Sequence, residues 1–404
     1  MINRAATGSV YSTSMTLQSA FQRSLSILKS LIEIESVNPT LVPGGAGERR
    51  VAEQLLSVLQ AEGIAASLEE VCPGRFNVVA RVHGAGPGPR LLLNGHLDTV
   101  SVEGMTAPFK PVEKDGKIFG RGALDMKAGL AAATAALIAV HQERGKYSGE
   151  VVLAAVIDEE DLSLGTQHFL KKWPAELPFD FALVTEPTNL KVCSAHKGFA
   201  WLEVLTEGIA AHGSRPREGV DAIRAMAKVL QELELLDQRL QSGPSHSLLG
   251  TGSLHASLIQ GGREWSSYPD RCVLKYERRT VPAESDAVVE GELNGILSKL
   301  RQSDSRFQGQ GRLVLSRSPL EVDRDQPSVR RFFEIAQSCL PEQVEWGAAS
   351  FWTDAALLSE AGIPAAVFGP RGEGLHSLEE YVIADDVVAC TEVIYRFVMS
   401  SKAP

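Results

Sequence analysis

A chain of 404 residues is too long for one typical hydrophobic core and leaves room for two domains. Its 44% hydrophobic and 22% charged residues are the balance of a folded globular protein, which excludes wholesale disorder. Forty Lys and Arg against fifty Asp and Glu leave a net charge of −10, which disfavours a nucleic-acid surface, and no basic stripe interleaved with aromatics offsets it.

Residues 1–17 read as a flexible leader without an apolar signal core, and Met15 offers a second start. Phe21, Leu25, Leu28, Leu31 and Ile32 then recur at helical spacing up to Asn38-Pro39. A second helix is predicted over Glu48–Glu62, with Gly63 as its terminator. Strands are expected at Ala65–Val71, Phe76–Val82 and Leu91–Asn94, the last a continuous apolar run suited to burial on both faces. A helix over Lys127–Arg144, a strand over Val151–Ile157, a further helix and a strand over Phe181–Val184 complete the alternation. Its longest apolar run, Ala128–Val140, is too short to span a bilayer and reads as buried helix. The pattern argues for a three-layer α/β domain with a largely parallel sheet.

From Gly198 the order changes to strand (Phe199–Thr206), helix (Asp221–Leu236), two strands (Ser253–Gln260, Cys272–Arg279), helix (Ala287–Arg301) and strand (Leu313–Ser316). This βαββαβ order predicts a small α+β domain, ferredoxin-like in plan, over residues 198–317. Helix–strand alternation resumes from Pro319 and ends in a strand over Ala365–Phe368. The expected arrangement is a main domain of residues 18–197 and 318–404 with the smaller one inserted. Five scattered cysteines without a CxxC pair argue against a disulfide framework and a thiolate zinc site, so a cytoplasmic location is the default.

In open α/β sheets the ligand site lies beyond the carboxyl ends of the strands. Five polar clusters fall there or in the loops beside them. Gly95-His96-Leu97-Asp98-Thr99 follows a buried strand; His96 suits a metal, with Asp98 against its other ring nitrogen, or is a loop His beside a capping Asp. Asp125, in Gly120-Arg121-Gly122-Ala123-Leu124-Asp125-Met126-Lys127, stands where a helix N-cap would. Asp158-Glu159-Glu160-Asp161 is either a solvated acidic turn or a cation site with a general base. Thr185-Glu186-Pro187-Thr188 and Gly374-Leu375-His376-Ser377 complete the set. Together they supply nitrogen and oxygen donors without Cys, the mixture that suits catalytic zinc, with cobalt or manganese as alternatives.

The order His96-x-Asp98, Gly-Arg-Gly-x-x-Asp125-Met-Lys, Asp-Glu159-Glu160, Glu186-Pro and His376-Ser resembles the dinuclear zinc family of acetylornithine deacetylase, succinyl-diaminopimelate desuccinylase, aminoacylase and glutamate carboxypeptidase. The resemblance covers nearly the whole chain beyond the leader. It implies a zinc-peptidase-like catalytic domain with two zinc ions per subunit: Asp125 bridging, His96 and Glu186 completing one site, Glu160 and His376 the other. It further implies Glu159 as general base and Asp98 as the group orienting His96.

The inserted domain then corresponds to the family's lid and dimerisation domain. Ala210-Ala211-His212-Gly213-Ser214-Arg215-Pro216 is similar to the lid motif whose His stabilises the oxyanion in a partner subunit, which implies a homodimer. Arg279, in Glu277-Arg278-Arg279-Thr280-Val281-Pro282, matches an Arg that grips a substrate carboxylate. Ser266 stands where the family often carries Asn, and Asp354, in Trp352-Thr353-Asp354-Ala355, falls in a stretch that resembles a family loop lining the site. The implied substrate is an N-acyl amino acid or a short peptide. Deacylase, dipeptidase and carboxypeptidase readings share this centre; a catalytically inactive metal- or amino-acid-binding protein is the rival from another class. A two-metal phosphatase or nuclease would need more basic side chains than Arg121 and Lys127 in the motif loops.

Overall fold

The computed structural model describes residues 15–174 and 177–401. Residues 1–14 of the expected leader lie outside the described residues, and the helix Met15–Ile32 already takes in its last positions. The chain divides into two compact units: one up to Val192 with Asp325–Glu345 and everything from Ala361, the other Cys193–Arg324 with Trp346–Glu360.

The sheet of the first unit runs Ala65–Cys72, Arg75–His83, Glu150–Val156, Arg90–His96, Phe181–Val184, Ala365–Val367. The last four strands are parallel; the first two are antiparallel additions at one edge. Burial follows position. Glu150–Val156 and Phe181–Val184 are buried at every residue, whereas edge strand Ala65–Cys72 is not. The Ala-rich helix Lys127–Gln142 packs against helices Met15–Ile32 and Ala384–Met399. A β-carbon on Gly129 would sit 1.7 Å from the Thr185 carbonyl oxygen, so this glycine lets the helix start press against the strand end that carries Glu186.

A second, small sheet (Val112–Lys114, Lys117–Phe119, Tyr381–Ile383, Gly372–Glu373) belongs to the same unit. Sequence reading missed it because strands of two or three residues show no periodicity.

In the second unit the order is strand Gly198–Glu207, helix Ala222–Ser242, strands Ser253–Gly261 and Arg271–Thr280, helix Asp286–Ser303, strand Gln308–Arg317. The four strands pair antiparallel around Gly198–Glu207 and Arg271–Thr280, with Ser253–Gly261 at one edge. Leu202, Val204, Met226, Val229, Leu274, Leu293 and Leu297 form its core. The last strand is longer than the predicted Leu313–Ser316. Gly309 and Gly311 hide its apolar alternation, because β-carbons there would lie 2.6 Å from Phe307 and Leu293 side-chain atoms.

His196, in the strand Val192–His196, is fully buried, with Nδ1 3.0 Å from the Lys197 carbonyl oxygen and its ring edge-on to Trp352. Burial pushes its pKa from 6.5 down to about 4. A depressed His pKa means that the unfolded chain takes up the proton first. The associated stability is therefore complete above pH 6.5 and is lost as pH falls toward 4, by about 3 kcal/mol in all. Melting temperatures of wild type and His196→Leu between pH 7 and 4 check this: the wild type is expected to fall more steeply, and parallel curves would rule it out.

Candidate metal centre

Strand register brings the polar clusters together. His96 lies opposite Val156 and Asn94 opposite Val184, so the turn at 158–161 opens on one side of the His96 loop and Glu186 on the other. Asp125 arrives from the small sheet through the turn after Phe119, and His376 from the loop joining Gly372–Glu373 to Tyr381–Ile383.

Two three-residue groups result, and Asp125 belongs to both. In the first, His96 Nε2 is 3.1 Å from Asp125 Oδ1 and 3.6 Å from Glu186 Oε1. In the second, His376 Nε2 is 3.3 Å from Asp125 Oδ2 and 3.1 Å from Glu160 Oε2. Within each group the donor atoms lie within 4.8 Å of one another. Glu159 Oε2 stands 3.9 Å from His96 Nε2. The capping alternative for Asp125 does not form: Met126 occupies the N-cap of the helix Lys127–Gln142, without a side-chain cap bond.

The electrostatics describe a site short of positive charge. Burial opposes a charge on His96, yet Glu186, Asp125, Glu159 and Asp98 lift its pKa well above the ordinary value. Hydrogen bonds to Asp125 and Glu160 raise His376 to about 10. Burial and the Asp125 charge push Glu160 up to about 7. Asp125, despite its burial, is held well below the carboxylate range by the two rings. Glu160 Oε1 is buried with no hydrogen-bond partner. Two imidazoles, three carboxylates, one orphaned oxygen and no thiol fit a pair of divalent cations.

A ring of supporting side chains fixes these groups. His96 Nδ1 lies 2.9 Å from the Asp98 backbone oxygen and 3.6 Å from its carboxylate, so the carbonyl is the nearer acceptor. The Asp98 carboxylate itself accepts the backbone N–H groups of Glu159 and Glu160, both at 3.2 Å, and Asn38 Nδ2 at 2.8 Å. Asn38 also donates to Asp158 at 3.1 Å, and Arg75 Nη2 bridges Asp158, at 2.9 Å, and Glu48. Asp158 and His376 both have left-handed backbone, φ 67° and 57°, which side-chain-bearing residues seldom adopt. Glu380 receives four hydrogen bonds from the Asp125 turn and its Arg121. Sequence reading missed Asn38, Glu48, Arg75 and Glu380. Asn38-Pro39 is legible only as a helix stop, and the others carry no local motif.

His212, Ser266, Arg279 and Asp354 belong to the second unit. There the exposed His212 and Ser266 loops run together: the Ser266 carbonyl accepts Gly213 N–H at 2.6 Å, and His212 Nδ1 is 2.8 Å from Ser214 Oγ. Arg279 pairs with Glu277 at 2.6 Å and lies over the Phe199 ring, while Asp354 is buried just ahead of the helix Ala355–Glu360.

A model of the family described as Peptidase family M20/M25/M40 matches residues 92–400. The chain belongs to this family. It is thus a hydrolase of the M20 family, and its relatives there cleave amide bonds. It is 27% identical to a probable succinyl-diaminopimelate desuccinylase of Staphylococcus epidermidis, over 92% of this chain and 96% of the relative. It is 29% identical to an acetylornithine deacetylase of Vibrio campbellii, over 92% and 97%. Among solved structures, a dinuclear metal binding peptidase from the M20 family of Bacillus subtilis superimposes with a TM-score of 0.73 at 15% identity, over 95% of this chain and 98% of that one. That likeness shows an M20 fold. Among the described residues, no helix is long and apolar enough to cross a membrane.

Proposed function

We propose that this M20 chain hydrolyses the amide bond of an N-acyl amino acid on two zinc ions, with water as nucleophile and Glu159 as general base. The observation that carries the reading is the pair of three-residue groups sharing Asp125, with the Glu159 carboxylate 3.9 Å from His96 of the first. His96, Asp125 and Glu186 would hold one ion and Asp125, Glu160 and His376 the other; cobalt or manganese would suit the same donors. Bound there, the ions would polarise the scissile carbonyl and acidify the attacking water. Three carboxylates and two neutral imidazoles supply −3 against +4, which leaves net positive charge for the nucleophile. Glu159 takes the proton from water and returns it to the departing amine. Asp98 orients His96 and, through the two N–H groups it accepts, the turn bearing Glu159 and Glu160.

The remaining assignments concern the second unit. His212 stabilises the tetrahedral oxyanion in the site of a second copy. Arg279 grips the substrate carboxylate, exchanging its present partner Glu277 for it; Ser266 and Asp354 add substrate contacts. A homodimer through this lid is supported by the edge strand Ser253–Gly261, on which Leu258 and Ile259 are exposed, and by the exposed Trp265. A cytoplasmic location accords with five free cysteines.

The desuccinylase and deacetylase relatives favour an acyl amino acid over a peptide. The test is a panel of N-acetylornithine, N-succinyl-diaminopimelate, N-acetyl-methionine and several dipeptides, given to the metal-reconstituted protein with and without chelator. Turnover of one acyl amino acid, lost on chelation, is expected. Cleavage of dipeptides alone would move the assignment to dipeptidase or carboxypeptidase. Metal binding with no amide cleaved would leave a binding protein and sink the reading.

A further inference from the structure

Glu380 is an acidic residue with 1% of its surface exposed, and burial raises the pKa of its carboxyl. A buried carboxylate is costly unless its oxygens are met by donors, and here four meet them. Oε1 accepts the N–H groups of Leu124, at 2.7 Å, and Asp125, at 3.0 Å. Oε2 accepts Gly122 N–H at 3.0 Å and Arg121 Nη1 at 2.8 Å. Its backbone carbonyl accepts Gly120 N–H at 3.1 Å. Every one of these donors belongs to the turn that ends at Asp125. Arg121 extends the arrangement: its Nη2 donates to the Ser377 carbonyl and to the Ser101 carbonyl, both at 2.9 Å. Ser377 is the neighbour of His376. One carboxylate thus ties together the loops that deliver Asp125, common to both groups, and His376.

We propose that Glu380, acting with Arg121, is a positioning residue of the dinuclear centre, holding Asp125 and His376 in the geometry that two cations require. The proposal rests on the dinuclear reading above. Both Glu380 carboxylate oxygens are taken up by these four donors, so the residue acts through the turn it grips. In Glu380→Gln one oxygen becomes an NH2 group, and either rotamer of the amide then faces two donors with a donor. In Glu380→Asp the charge that neutralises Arg121 is kept, but the side chain is one methylene too short to reach all four donors.

The experiment compares wild type, Glu380→Gln, Glu380→Asp and Glu150→Gln. Glu150 is a buried carboxylate paired with Arg90 at 2.7 Å, at the opposite end of the sheet strands, and controls for loss of stability alone. Metal affinity is measured by chelator competition, geometry by the visible absorption of the cobalt-substituted protein, and kinetics on whichever amide the wild type cleaves. Both Glu380 variants are expected to bind the ions about 10–100-fold more weakly, with a changed cobalt spectrum. Their kcat should fall while KM stays nearly constant, the Asp variant lying between Gln and wild type. Glu150→Gln should lower the melting temperature without moving the spectrum.

Wild-type spectrum and affinity in a folded Glu380→Gln would overturn the proposal. If the Gln variant does not fold, Glu380→Asp is judged by the same criteria, and if neither folds the residue is structural and the proposal fails. A wild type that binds two ions beside unaffected variants refutes the role of Glu380 alone. A wild type that binds none refutes the dinuclear reading, and this proposal with it.

Discussion

Glu159→Gln is expected to lower kcat about 10²–10⁴-fold while two metal ions per chain still bind. The argument is geometric. Glu159 Oε2 stands 3.9 Å from His96 Nε2, beside the first group of donor atoms and a member of neither. The amide keeps the volume and the polarity of the side chain, and the Glu159 backbone N–H remains bonded to Asp98. What disappears is the capacity to accept a proton from water and return it to the amine. Metal content by elemental analysis and kcat on the substrate found by the panel separate the two quantities. A variant that loses its metals would make Glu159 a ligand, and one that keeps full activity would remove it from the reaction.

Arg75→Met should destabilise the protein by about 3–5 kcal/mol, the cost of leaving buried charges without their partner. Arg75 is the cation between two carboxylates, Glu48 and Asp158, whose side chains are wholly inaccessible. Its Nε donates to Glu48 Oε2 at 2.8 Å and its Nη1 to Thr40 at 3.1 Å. Burial already raises the pKa of Glu48 against the opposing pull of this guanidinium. Without it, two carboxyl groups would share a dry site and at least one would have to take up a proton. Urea denaturation at pH 7 measures the loss, and Arg75→Met combined with Glu48→Gln should recover part of it, because one uncompensated charge is gone. A loss below about 1 kcal/mol would show that water reaches the network. Asp158 directly precedes Glu159 and has left-handed backbone, so a fall in kcat of the folded fraction is expected alongside.

Most of the donor atoms are legible in the sequence. His96, Glu160 and Glu186 stand out because each follows a strand whose unbroken apolar run announces burial on both faces, and polar groups at such ends face the ligand side of the sheet. Asp125 is ambiguous on local grounds, since an Asp ahead of a helix is more often a cap; its partners His96 and His376 are what separate the two readings. The short strands of the small sheet and the glycine-interrupted strand Gln308–Arg317 do not stand out, because neither shows the alternation on which strand recognition depends.

By itself, then, the sequence determined the class of the protein: an α/β sheet with polar strand ends, a run in βαββαβ order from Gly198, and nitrogen and oxygen donors in the order of the M20 family. These follow from local chemistry, namely apolar periodicity and residue type at element ends. Only the tertiary structure decided which charges meet. Glu380 reaches Arg121 across 259 residues, Asn38 reaches Asp158 across 120 and Arg75 reaches Glu48 across 27. Each of these is a lone charged or polar residue that would ordinarily lie in water. Its burial is tolerable because a distant segment folds back to satisfy it, and no local pattern encodes that return.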